Sequence, residues 1–486
     1  MSRRAILKWM SAGAAVAGSG IGSGAAALAA TRSQPRLAGT LTTSPEVLSR
    51  FATDFGDLVT REPKAVLRPA SAGDISAMIQ YARASGLKLA MNGQAGGSAA
   101  DPESHSNYGQ ALVAGGIAVD AKGLSAIHSL GADSAWVDAG VTWAQLLDAA
   151  LARGTMFPAH TGYEHLSVGG TASVGGIGPQ TTRYGLQVDT ISEIEIVTGR
   201  GEIVRASATE RPDLFNAALG GGGQVGIITK ARVRLVPAPT RATVFSLLYH
   251  DRHTWFADQE QLVRDGRFDA QTGRLVRNAG NTAWQYQLDG IAYHDASDPP
   301  DRNALLAGLR DDRGSAQVSD IPFRDYAFQL DPWEAAARKG GLWNQPHPWL
   351  SLLIPGSTVA EFAKGLLAEL TPADLGGGFA LLSAFGTSKL TRPLCVMPDE
   401  PVVYLCDLLR MPLPQDQGVP RMLAQNRRLY DLAVSLGAKR YLIGAIPGMT
   451  TQEWRLHFGS EWERLVSAKR RYDPGNVLAP GQGFFG

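Results

Sequence analysis

The densest group of residues suited to chemistry is "LSVGGTASVGGIGPQTTRYG", Leu166 to Gly185. Glycine inside a regular element costs roughly 0.5–1 kcal/mol relative to alanine. So many together imply that something approaches the backbone too closely for a Cβ. Gly169, Gly170, Thr171, Ser173, Gly175 and Gly176 offer bare amides and hydroxyls at close spacing, and successive backbone N–H groups make an anion-binding nest. The pattern fits a phosphate-bearing cofactor; a glycine-rich turn between strands is the plainer alternative. A literal G-x-G-x-x-G also stands at Gly221–Gly226. A dinucleotide fingerprint of that form must leave a strand and open a helix. Here the helix-like "DLFNAALGG" comes first and the strand-like "IITKARV" follows, so a nicotinamide site is rejected.

The elements that must hold these loops alternate through the first half of the chain. "EPKAVLRPASAGDISAMIQYARASGLKLAM" reads as strand, helix, strand. Ser71 and Asp74 are placed to cap a helix whose apolar positions Ile75, Met78, Ile79 and Ala82 recur at helical spacing. "TISEIEIVTGRGEIVRA" reads as a hairpin turning at Thr198-Gly199-Arg200-Gly201, and the region closes near Pro237. From Ala238 to Ala438 the texture changes, with sheet-like "HPWLSLLIP", "VVYLCDLLRM" and "WQYQLDGIAY" between helical segments. Length alone, 486 residues, calls for two or three domains.

The formal charge of +1 argues against nucleic acid or an anionic membrane as the main partner. Two cysteines, Cys395 and Cys406, leave open either a disulfide or two buried thiols on successive strands. No CxxC, HExxH or clustered His/Cys pattern points to a metal. Residues 1–30 read as an export signal of the twin-arginine type, with Arg3 and Arg4 ahead of a soft Gly/Ala run that ends Ala27-Leu28-Ala29. That run is a poor spanning helix, so the mature chain is expected without a stable membrane span, in the periplasm or outside the cell. The twin-arginine route carries folded proteins, which fits a cofactor acquired before export.

The long run "LSVGGTASVGGIGPQTTRYGLQVDTISEIEIVTGRGEIV", followed by "DLFNAALGGGGQVGIITKARV", resembles the PCMH-type FAD-binding domain of the vanillyl-alcohol-oxidase family. Within that family the chain is most similar to cytokinin dehydrogenases. "HPWLSLLIP", "WRLHFGSEWERLVSAKRRYDP" and "LAPGQGFF" carry the resemblance to the C-terminus. It implies an α+β fold: a two-lobed FAD domain from residues 50–237 and 439–486, with a substrate domain of antiparallel sheet covered by helices inserted at 238–438. It also implies that Ser167, Gly169, Gly170, Thr171 and Ser173 meet FAD. Ile228 would lie against the nucleotide, with Tyr441 and Gln482 reaching it from the C-terminal segment. Ala479 stands where the family often has serine.

Two departures bear on chemistry. The family's uninterrupted R-G-x-G-H-S, whose histidine bonds the flavin, is broken here by extra residues in "AMNGQAGGSAADPESHSNYGQALVAGG". Asn92, Gly93 and Gln94 match the pyrophosphate loop, and the downstream match nominates His105, with Ser106 and Gln110 beside FAD. Either the loop bulges and returns, leaving His105 to hold the flavin covalently, or the link is lost and His105 is a surface-loop histidine. The second departure is "HTGYEHL", which has Gly162 where "W-T-D-Y-L" supplies the aspartate that takes the substrate's proton. Hydride removal from an amine or alcohol carbon needs a group to manage that proton. Asp289, in a place like the acid of "Y-V-E-G-F", is the first replacement and His160 the second; Glu164 and His165 share the loop, and Trp349 is a pocket-lining position.

The resemblance implies an FAD oxidoreductase that oxidises a small molecule at a C–N carbon and passes electrons to oxygen or a quinone-like acceptor. Oxidation of a sugar, lactone or alcohol at CH–OH on the same scaffold is an alternative, as is a flavin-binding protein without catalysis.

Overall fold

The computed structural model describes residues 34–93, 105–278, 280, 282–413, 418–478, 481 and 483–485. The export segment, Gln94, Ala479 and Gln482 lie outside the described residues. In the first lobe, strands Ala65–Arg68, Ile117–Asp120 and Leu89–Asn92 pair in parallel, with Thr40–Thr42 antiparallel at the edge. Helix Ala72–Ala84 packs on this sheet through Ile75, Met78, Ile79 and Ala82, all fully buried. Its start is held otherwise than expected. Ser71 makes no side-chain cap, while the Asp74 carboxylate accepts from the backbone N–H groups of Ala38, Gly39 and Ala70 at 2.8, 2.9 and 2.8 Å.

The second lobe is a five-stranded antiparallel sheet in the order Ile127–Leu130, Ser134–Asp138, Gly226–Arg234, Ile191–Thr198, Ile203–Ser207. Helix Pro212–Ala218 precedes the Gly221–Gly226 run and a strand follows it, the reverse of a dinucleotide fingerprint. The two cysteines are free thiols. Only Cys406 sits on a strand, Val402–Leu409, and Cys395 lies in the loop before it.

The inserted domain is an eight-stranded antiparallel sheet. Its order is Gln317–Pro322, Arg241–Tyr249, Trp284–His294, Ala270–Arg277, Phe379–Gly386, Val402–Leu409, Leu350–Pro355, Lys439–Gly444. Helices Val359–Glu369 and Val419–Ser435 cover one face; the other turns toward the second lobe. The last strand moves a boundary expected at 439. Lys439–Gly444 completes the substrate sheet beside Leu350–Pro355, and the return to the FAD lobes comes after it. There helices Thr451–Phe458 and Trp462–Tyr472 bury Trp454, Phe458 and Leu465 in the second lobe's core. A sequence break shows where texture changes; strand pairing across eighty or more residues is invisible to it.

Candidate active site

The glycine-rich stretch is more than a turn. Val168–Ala172 forms one helical turn with Ser167 at its N-cap, whose Oγ accepts from the Gly170 N–H at 3.3 Å. Trp143, fully buried, donates from Nε1 to Thr171 Oγ1 at 2.8 Å and ties this turn to the core. A Cβ at Gly169 would come within 2.6 Å of the Ala139 Cβ, and one at Gly170 within 2.8 Å of Ser167 Oγ. Gly176, at φ +79°, donates its N–H to the Tyr441 hydroxyl at 2.8 Å. Small residues here let two backbone segments and an aromatic side chain meet.

The loop forms one wall of a cavity of about 380 Å³. Gly93, Ser167, Gly169, Gly170, Thr171 and Ser173 line it, joined by His105, Ser106, Gln110, Ile228 and Tyr441. Ser106 Oγ accepts from the Ala111 N–H at 3.1 Å, and Gln110 Nε2 donates to the Leu442 carbonyl. Asn92 ends its strand behind this wall, buried, with no partner for Oδ1. The facing wall is the inner face of the eight-stranded sheet. Thr272, Arg274, Leu381, Leu405 and Asp407 contribute there, and Trp333, Trp343, Trp349 and Phe379 make it largely apolar.

His105 is far from a surface-loop position. Its ring sits in a stack running Tyr163, His105, Phe55, His347, with centroids 4.9, 4.1 and 4.0 Å apart. Burial lowers the pKa of both His105 and His347 to about 3, so both rings are neutral at pH 7. His105 Nδ1 is buried without a partner.

The two residues nominated as proton acceptors stand elsewhere. Asp289 does not line the cavity. Its carboxylate accepts from Gln287 Nε2 at 2.7 Å, Ser246 Oγ at 2.8 Å and Arg274 Nε at 2.8 Å. These three hydrogen bonds, one of them from a cation, occupy the carboxylate. Its work is to hold Arg274, which does face the cavity. His160 is also behind the wall: Nδ1 lies 3.2 Å from Glu164 Oε1, and the ring packs on Phe157 at 4.4 Å. It borders a separate space of about 10 Å³. His165 is paired with Asp331 at 2.9 Å. Gly162 does line the cavity, at φ +83°, and a Cβ there would meet nothing within 4 Å.

Sequence reasoning missed Arg274 and Asp407. Asp407 lies on the Val402–Leu409 strand, 7% exposed, with no partner for Oδ1. Burial pushes its carboxyl up to about 6. The available signal was one charge inside the otherwise apolar "VVYLCDLL". A buried carboxylate without a cation partner is rarely structural.

These residues fit FAD. The cradle is closed to side chains by its own glycines, the Ser167–Ser173 turn lines the cavity, and one buried polar atom on the cavity wall, His105 Nδ1, has no partner. Comparison with known proteins agrees. Residues 63–207 match the FAD binding domain family, and residues 281–485 match the family described as cytokinin dehydrogenase 1, FAD and cytokinin binding. The chain is 34% identical to the uncharacterized oxidoreductase ORF5 in the fasciation locus of Rhodococcoides fascians, over 89% of this chain and 96% of that one. It is 33% identical to cytokinin dehydrogenase 5 of Oryza sativa subsp. japonica, covering 92% of this chain and 91% of the relative. For cytokinin dehydrogenase 2 of Arabidopsis thaliana the figures are 32%, 92% and 93%. With FAD as its cofactor, the chain belongs to the FAD-dependent oxidoreductases of PCMH-type fold, in the branch that holds the cytokinin dehydrogenases.

Proposed function

We propose that this oxidoreductase oxidises a C–N bond of a small, largely apolar secondary amine, that it is exported, and that His105 carries its flavin covalently. The observation that carries the reading is a single cavity lined on one side by the glycine-rich loop and on the other by the sheet with Trp333, Trp343 and Trp349 beside it, an apolar space fit for a substrate next to a cofactor. Relatives named cytokinin dehydrogenases support an amine of the cytokinin type. Bound FAD supplies a two-electron acceptor that takes the hydride from the substrate carbon. The chain's part is to orient the substrate through Trp333, Trp343, Trp349 and Phe379, to exclude water, and to manage the proton. Electrons then pass to oxygen or a quinone-like acceptor.

The test is anaerobic. The yellow protein is expected to be bleached by secondary amines of the cytokinin type and not by sugars or benzylic alcohols. Gly162 at the family's aspartate position favours the second reading, a CH–OH substrate; bleaching by alcohols or sugars alone would establish that instead. Stabilisation by ligands without bleaching would mark a binding protein that has lost its chemistry.

Export through the twin-arginine route is supported by Arg3 and Arg4 before the Gly/Ala run. No helix among the described residues is long and apolar enough to cross a membrane. In the double variant Arg3→Lys, Arg4→Lys, the protein is expected to stay unprocessed in the cytoplasmic fraction, while the wild type appears shortened outside it. Equal distribution of the two would overturn this.

A further inference from the structure

We propose that Asp407 receives the substrate's N–H proton in this chain, acting from the sheet where Gly162 offers no side chain from the loop; the assignment rests on the C–N reading above. The register of the sheet places it. Asp407 pairs with Leu381 on one side and Ser351 on the other, and Leu381 pairs in turn with Arg274. Cross-strand partners point to one face, so Arg274, Leu381 and Asp407 form a row along the cavity wall. Two strand spacings separate the charges by about 10 Å. Arg274 is already committed to Asp289 at 2.8 Å, which leaves Asp407 without a cation; the Ser351 hydroxyl on the neighbouring strand is the group beside it that favours its charged form.

Its Oδ1 is buried and has no hydrogen-bond partner, although the residue lines the cavity. An unsatisfied carboxylate oxygen is unfavourable, and an N–H donor held in the cavity satisfies it. As the C=N bond forms, the carbon's hydrogen leaves with its electron pair to FAD and the nitrogen's proton passes to Asp407. The substrate thus loses two electrons and two hydrogens, and no further reactant is needed.

The charged and titratable groups that share the space are Arg274, with Asp289 behind it, Tyr441 on the last strand, and His105 and Tyr163 on the loop side. Arg410, next along the chain, turns to the other face and donates to Gln425 at 2.6 Å and Asn426 at 2.9 Å. Burial holds His105 low and Tyr441 high, so neither changes charge near pH 6. Asp407, raised to about 6, does. Only its carboxylate form accepts a proton, so substrate-driven bleaching is expected to be slow below pH 6, to rise through it, and to level off above.

The variants are Asp407→Asn and Asp407→Leu, the second filling the site without a polar atom in case the first fails to fold. Both are expected to keep their flavin absorbance. Each is expected to be bleached by a secondary amine about 10²–10⁴-fold more slowly than the wild type in anaerobic stopped flow, with the rise near pH 6 gone. A second readout needs no turnover. An N-aryl tert-alkyl amine, which has no C–H to lose beside nitrogen, is expected to raise the melting temperature of the wild type more than the ether of the same shape. That preference is expected to vanish in the variants. Bleaching within a few-fold of wild type with the pH 6 rise intact would overturn the assignment. If no amine bleaches the wild type, the C–N reading fails by itself, and equal stabilisation by amine and ether would then overturn Asp407 as well.

Discussion

Replacing Asp473 with alanine is expected to destabilise the protein by about 3–5 kcal/mol, because it strips the partner from a buried cation. Asp473 is 1% exposed. Its Oδ2 accepts from Lys469 Nζ at 2.7 Å and from the Leu478 N–H at 3.0 Å, and its Oδ1 accepts from the Val477 N–H at 2.9 Å. Lys469 Nζ also donates to the carbonyls of Gln224 at 3.0 Å and Leu478 at 3.2 Å. The pair therefore clamps the returning C-terminal segment onto the Gly221–Gly226 loop beside the cofactor cavity. Burial already lowers the Lys469 pKa, with Asp473 the main group opposing it; without the carboxylate the ammonium sheds its proton or the segment opens. Thermal unfolding with flavin absorbance followed in parallel is the measurement. The expected result is a lower midpoint and weaker FAD retention. The double variant Asp473→Ala, Lys469→Met should recover part of the loss, since it removes the stranded charge. A single variant as stable as the wild type would show that the clamp contributes nothing.

The second large effect concerns His105. After acid precipitation of the wild type, the yellow colour is expected to stay with the pellet; after His105→Ala it is expected to move wholly to the supernatant. The reason is geometric. His105 stands in a ring stack with Phe55 and Tyr163 on the cavity wall, neutral at pH 7 and with a buried, unpartnered Nδ1. A neutral imidazole nitrogen has a free lone pair to offer the flavin, and no group among the described residues claims it. Covalent attachment would also prevent cofactor loss after export. Colour in the supernatant of the wild type would retire the linkage while leaving the FAD site intact.

Much of the fold and the cofactor site was legible in the chain because both depend on local signals. Helical spacing placed Ile75, Met78, Ile79 and Ala82 in a core. The order of helix, glycines and strand around Gly221–Gly226 excluded a nicotinamide site. The glycines of 166–185 marked a backbone that must be approached closely, and a Cβ at Gly169 or Gly170 indeed has no room. The run after His105 nominated a residue that lies on the cavity wall in spite of the inserted residues before it.

The proton-handling residue was different in kind. Asp289 and Asp407 both look inward by strand alternation, and alternation is all that a strand's own sequence reveals. Which of the two reaches the cavity depends on position across the sheet, and that is settled by pairings between segments more than a hundred residues apart. Asp289 falls one strand to one side of Arg274 and is consumed by it; Asp407 falls two strands to the other side, beside Leu381, with no cation to pair. His160 was likewise turned away from the cavity by a loop that brings Gly162 forward instead. By itself, then, the sequence determined the fold, the cofactor and the absence of a side chain at Gly162. Lateral position in a sheet is a long-range property that no local pattern encodes, so only the tertiary structure decided which carboxylate lines the cavity.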